Sequence, residues 1–299
     1  FGEHDVSGVL RGPLGEHWGF IVGARSYEHD DIFRNSLTGN KELGGESTVS
    51  GTLGLQWKPS DSFTAYARLL YVKDEDSQRA VYSTSSLDNN CLPRSATDLK
   101  RYYCGEIVPD PTKIRLANSN AAVPSPFVGR YQSKDGKGGL DRTAYRGMLQ
   151  LDWDLPFARL TSVTSYTDEK QRDGFDLTYR AAYTYANPAP AGANIGAITF
   201  DRNIDFKDFS QELRLTSQDT GRFAWLFGGY FFDNDQKTVN TYRLPPADDQ
   251  GTLSAKNFAV FGRLEYDVTD TLRVGVDGRW QDDKNSYVNR TNNITADVK

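Results

Sequence analysis

The chain has 299 residues, of which 37% are hydrophobic and 12% aromatic, with 27 glycines, one methionine and a formal charge of −5. Its mean hydropathy is −0.62, and no apolar run approaches the ~18 residues of a membrane-crossing helix, which excludes a helical membrane protein. The negative balance argues against a general nucleic-acid binder, and abundant Tyr, Phe and Gly with almost no Met is a β-rich profile.

The first segment, "FGEHDVSGVL", carries no visible signal peptide, so this start is read as processed, truncated or incomplete. "VSGVLRGPLGEHWGFIVGARSY" then reads as two strands about a turn at Gly12–His17. "VSGTLGLQW" sets Val49, Gly51, Leu53, Leu55 and Trp57 on one face and Ser50, Thr52, Gly54 and Gln56 on the other. Across a turn at Pro59–Ser62, "FTAYARLLY" repeats the pattern, with Phe63, Ala65, Ala67, Leu69 and Tyr71 against Thr64, Tyr66 and Arg68. Such period-2 alternation marks strands with two unlike faces.

A long connection, Ala80–Leu140, separates these from "YRGMLQLDW", a turn at Leu155–Phe157 and the weakly alternating "ARLTSVTSY". After a second long connection, Phe175–Asp205, come "FSQELRLTS", a turn at Ser217–Arg222 and "FAWLFGGYFF". The last of these, like "GFIVGARSY", is apolar on both faces, which predicts an inward side touching something packed inside. A third connection, Thr241–Ser254, leads to "FAVFGRLEY", a turn at Asp267–Thr271 and "TLRVGVDGRW". There Leu272, Val274, Val276 and Trp280 alternate with Arg273, Asp277 and Arg279. A last connection opens near Asn289, and "TNNITADVK" reads as loop.

Ten strands in five hairpins result, with short and long connections alternating strictly and both ends of the chain on the long-loop side. A soluble sandwich has no reason to keep every short turn at one end. An outer-membrane barrel has one: short periplasmic turns and long extracellular loops on strands of about 10 residues. The apolar faces often end in Trp or Tyr, which favour membrane interfaces. The expected fold is therefore all-β, an antiparallel transmembrane barrel with lipid against the apolar faces and a polar lumen against Arg68, Arg146, Arg214, Arg263, Arg273 and Arg279. Glu212, Glu265 and Asp277 are their expected partners, on neighbouring strands.

At "DFSQELRLTSQDTGRFAWLFGGYFFD" (Asp208–Asp233) the chain resembles the TonB-dependent outer-membrane receptors, with "VSGVLRGPLGEHWGFIVGARSYEHDD" and "LTSVTSY" as further recurrent pieces. The resemblance covers essentially the whole chain. It implies that residues 1–299 correspond to about strands 2 to 11 of a barrel of ~22 strands, with the plug domain, the TonB-contact region and the C-terminal strands lying outside them. It further implies residence in the bacterial outer membrane among lipid and lipopolysaccharide. It also implies import of a scarce small-molecule ligand, a ferric siderophore first among haem, cobalamin and sugars, with energy from the TonB complex. A passive porin or adhesin-like barrel and a soluble extracellular binding protein are the alternatives.

Candidate site residues cluster in the long connections. Cys91 and Cys104, in a polar loop without nearby histidine, read as a disulfide rather than a zinc site. Their ring of 14 residues stabilises the loop by about 3 kcal/mol in the chain-entropy model. The loop carries eight cations against five anions, +3 within a chain of −5, which suits an anionic ligand or lipopolysaccharide phosphate. Arg94, Lys100, Arg101, Tyr102 and Tyr103 sit in or beside this ring, and Arg with Tyr can contact a planar ligand. Tyr179, Tyr183 and Tyr185 form a second aromatic group, which can stack on a ligand or pack on itself. His4 and His29 stand near one rim with Glu3, Asp5, Asp30 and Asp31, but their spacing diagnoses no metal site. No nucleophile–base constellation and no nucleotide-binding glycine loop is present. The expectation is thus not an enzyme, with no cofactor.

Overall fold

A computed structural model of the chain describes residues 2–34, 40–79, 90–91, 104–105, 138–176, 184–185, 193–194, 199–218, 221–243, 246–291 and 294–298. Every regular element among them is a strand: β1 (Glu3–Pro13), β2 (Trp18–His29), β3 (Phe33–Arg34), β4 (Lys41–Leu43), β5 (Glu46–Ser60), β6 (Phe63–Asp76), β7 (Gly139–Asp154) and β8 (Ala158–Asp176). Then follow β9 (Thr184–Tyr185), β10 (Ala193–Asn194), β11 (Thr199–Ser217), β12 (Phe223–Arg243), β13 (Pro246–Thr269), β14 (Leu272–Asn289) and β15 (Ile294–Val298). Eleven of them form one antiparallel sheet in the order β1-β2-β5-β6-β7-β8-β11-β12-β13-β14-β15. Chain order equals sheet order, so the sheet is an up-and-down meander with β1 at one edge and β15 at the other, and it is not closed.

Directly opposed residues of an antiparallel pair share a face, so the register assigns every side chain. The row Trp18–Trp57–Ala65–Leu151–Ser162–Leu213–Gly229–Val260–Trp280 crosses the sheet on one side. Each apolar set read from the sequence falls on that outer side, and Arg68, Arg146, Arg214, Arg263, Arg273 and Arg279 fall on the inner one. Leu213 is 50% exposed and Val276 65% exposed, while the buried hydrophobic residues among those described are only Leu43, Ala144, Ala158 and Ala259. A sheet that turns hydrocarbon outward and charge inward has no core of its own, and its outer face suits a lipid environment.

Aromatic rings bound that outer face. Near the short turns Trp18 stacks on Trp57 at 5.5 Å, Trp57 meets Phe63 at 5.8 Å, and Phe63 meets Trp153 at 6.5 Å. Toward the long loops the pairs are Tyr71–Tyr145 at 5.1 Å, Phe209–Phe231 at 6.3 Å and Phe258–Trp280 at 6.3 Å. Trp153 and Tyr145 are eight positions apart, about 27 Å along a strand and roughly 20 Å of height at a typical barrel tilt. That is close to the ~25 Å apolar band of outer-membrane barrels.

The five expected hairpins are all present, and four expectations are corrected. Thr199–Asp205 is strand paired to β8 rather than loop. The connection placed at Thr241–Ser254 is largely ladder, paired from Lys237–Thr252 up to Arg243–Pro246. Short and long connections therefore do not alternate strictly. A ladder with water on both faces can be polar throughout, and Pro246 stands where its strand begins and no amide donor is required. "TNNITADVK" contains the eleventh strand, Ile294–Val298 lying against Asn289–Asn285. The inward arginines pair both ways: Arg146 with Glu169 at 3.5 Å and Arg273 with Asp267 at 2.5 Å between neighbouring strands, Arg263 with Glu265 at 2.6 Å and Arg214 with Glu212 at 3.6 Å along their own strands. Residues two apart on one strand share a face, which makes such pairs as accessible as cross-strand ones.

Candidate ligand-binding rim

The long-loop end of the inner wall carries a ladder of ion pairs. Arg25 donates to both carboxylate oxygens of Asp5 at 2.8 and 2.9 Å. Asp74, only 6% exposed, accepts from Thr48 Oγ1 at 2.7 Å and from Arg142 Nε at 2.7 Å, joining β5, β6 and β7. Arg146 meets Glu169 at 3.5 Å. Arg202 and Gln171 both donate to Asp173, Gln171 at 2.9 Å. Each charge is placed by an even or odd position on an adjacent strand and held by a partner, making this end of the inner face polar and largely neutralised.

The loops leave from this rim. Gly138 and Gly139, both at positive φ (77° and 104°), bring the end of the longest connection into β7. A side chain on Gly139 would collide with the carbonyl of Asp76, so only glycine lets the chain enter the wall there. Burial pushes the Asp201 carboxyl, on β11 near the same rim, up to about 7. Desolvation likewise raises Asp76 against the opposing amide of Ser47.

Cys91 and Cys104 are bonded, 5.7 Å apart at Cα. Asn90 brackets the second cysteine, its side-chain oxygen accepting from the Cys104 amide at 2.7 Å and its Nδ2 donating to the Cys104 carbonyl at 2.8 Å. No sequence motif signals this clasp. Arg94, Lys100, Arg101, Tyr102 and Tyr103 lie outside the described residues, though all five fall within the covalent ring. Tyr179 and Tyr183 also lie outside them. Tyr185 is reached only at its backbone, opposite Ala193 in the small β9–β10 hairpin.

The histidines do not converge. His4 opposes Glu28 on the outer face, whereas His29 opposes Glu3 on the inner one. His17 Nδ1 donates to the Lys58 carbonyl at 3.0 Å in the turn region. Among the described residues no group of three His, Cys, Asp or Glu is placed to hold a metal ion.

Neither a family model nor a curated protein matches the chain. Solved structures do. The ferric yersiniabactin uptake receptor of Yersinia pestis superposes with a TM-score of 0.65 at 16% identity over 99% of this chain. The chain has the barrel-wall fold of the TonB-dependent receptors. The ferric citrate transporter in its unliganded form gives 0.61 at 11% identity, and the ferric preacinetobactin receptor of Acinetobacter baumannii gives 0.54 at 13%, each over 99% of this chain. The chain spans 41%, 37% and 41% of those three proteins. The resemblance read at Asp208–Asp233 therefore holds for the fold of the whole chain.

Proposed function

We propose that this chain is part of the wall of a bacterial outer-membrane uptake receptor. In this reading the receptor binds a scarce ligand, a ferric siderophore first among the candidates, and imports it with energy from the TonB complex. The observation that carries the reading is the wall itself: apolar outside between two aromatic girdles, ion-paired inside, with its long connections gathered at one rim. It matches walls of proteins whose names carry ferric yersiniabactin, ferric citrate and ferric preacinetobactin. The loop between β6 and β7, at net +3, suits an anionic iron chelate arriving from outside.

The sheet edges support a wall completed by further strands. Among the described residues, Leu272–Lys284 of β14 faces no strand beyond it, and β1 has β2 alone. Unpaired backbone edges are not tolerated against hydrocarbon. In this proposal residues 1–299 are about half of a closed barrel, the plug and the TonB contact belonging to other parts of the protein. The role is transport rather than catalysis.

The test is uptake of radiolabelled iron, presented as ferric siderophores, by cells with and without the gene. The expected result is saturable uptake that disappears on gene deletion and on loss of TonB. Flux that persists without TonB or the proton gradient would instead identify a passive pore.

A further inference from the structure

At the short-turn end of the inner face, β1, β2, β5 and β6 border a depression of about 780 Å³. The register sets Arg11, Ile21 and Gly54 on one row, and Gln56 and Tyr66 on the next row toward the turns. The Tyr66 phenol uses the space that Gly54 leaves: a side chain there would come within 3.0 Å of its hydroxyl and 2.6 Å of Ile21. Lys58 closes the depression at the turn.

The donors of this place are unused. Elsewhere on the inner face polar side chains bond one another: Gln150 donates to Asp152 at 2.7 Å, Gln171 to Asp173 at 2.9 Å and Gln281 to Asp283 at 2.8 Å. Arg25 on the neighbouring strand is held by Asp5. Arg11, Gln56 and Tyr66 have no hydrogen-bond or ion-pair partner among the described residues. From the row of Arg11 down to the turns, the inner face of these four strands carries no carboxylate. The acids at this end stand in the turns: Glu16, exposed on the border, and Asp61, which meets Lys58 at 3.1 Å. Asp61 is fully open to solvent, so that pair holds its lysine weakly. A guanidinium fork, a carboxamide and a phenol hydroxyl beside the apolar flank of Ile21 suit a planar anionic acceptor carried on carbon.

We propose that this depression binds a carboxylate of the imported ligand at the periplasmic side of the wall. The Arg11 guanidinium takes both oxygens, and the Tyr66 hydroxyl donates to one of them. The site rests on the uptake reading above and adds a second station to it. The connection between β6 and β7, at net +3, suits an anion on arrival, and the unused donors suit the same anion on departure. Between the two, the inner-face charges largely neutralise one another and hold a passing anion weakly.

The experiment uses the intact protein in detergent with radiolabelled citrate, whose bound equivalents are counted by equilibrium dialysis at low ionic strength. Arg11→Gln combined with Tyr66→Phe weakens the binding of one equivalent by about tenfold. Arg263→Gln removes an inner-face guanidinium already paired with Glu265 and leaves binding unchanged. The trimethyl ester of citrate does not compete. Equal citrate binding by the double variant and the unmodified protein, no citrate binding at all, or competition by the ester overturns the site. Heat-modifiable gel migration shows that each variant is folded. TonB-dependent iron uptake is scored separately, in cells carrying the unmodified protein. Its absence defeats the uptake reading, whereas unaltered citrate binding in the double variant defeats the site alone.

Discussion

Asp74 shows how a charge is kept inside the wall. It is nearly inaccessible, and Thr48 and Arg142 both donate to it. Removing one partner of such a pair leaves a buried charge, which costs about 3–5 kcal/mol, whereas removing both charges is far milder. Arg142→Met is therefore expected to lower the temperature at which the folded band disappears on a gel, and adding Asp74→Asn to recover most of the loss. Asp201 gives a second prediction with a defined sign. Its folded pKa of about 7 lies above the ordinary carboxylate value, so the folded state holds a proton that the unfolded chain releases. Stability at this end of β11 falls as pH rises from about 4 to about 7 and is flat above that. Amide exchange at Thr199–Asn203 should slow, relative to its intrinsic rate, on acidification through this window, and Asp201→Asn should abolish the dependence. Nothing in the sequence announces either residue: alternation places a charge on a face, but its burial and partners depend on neighbours distant in the chain.

At the scale of elements, period-2 alternation made the hairpins legible because each face meets one medium. It failed where both faces meet water, above the girdles, since a polar ladder such as Lys237–Arg243 against Pro246–Thr252 looks like loop by composition. The doubly apolar "FAWLFGGYFF" has a local explanation in part. Gly228 opposes Phe261 on the inner face, and Phe227 opposes Gly262 on the outer face, one rung apart. Each ring lies across the space its glycine leaves: a side chain at Gly262 would come within 2.9 Å of Phe227, and one at Gly228 would overlap Phe261. Arg279 in turn lies over Phe261 at 5.9 Å. Gly228→Val should displace the Phe261 ring and cost about 1–3 kcal/mol through overpacking. The same substitution at Gly8, with nothing within 4 Å, should leave the unfolding midpoint nearly unchanged. The comparison of the two midpoints separates a packing role from a general intolerance of valine in these strands.

At the scale of the molecule, the decisive quantity is how much more wall exists. In the proposed membrane setting, the eleven described strands with two free edges would leave backbone donors and acceptors unpaired in hydrocarbon, each costing several kcal/mol. A lipid-facing sheet of this kind is closed either by further strands of the same protein or by another chain. The matched receptors are more than twice as long as the region they share with this chain. The intact mass of the protein purified from outer membranes, measured under denaturing conditions, should accordingly exceed about twice the 33.5 kDa of these residues. A single polypeptide of that size accommodates the remaining strands, a plug and a TonB contact, and energy-coupled import stands. A polypeptide near 33.5 kDa would place closure in an assembly of chains, and import driven through this wall would have to be given up.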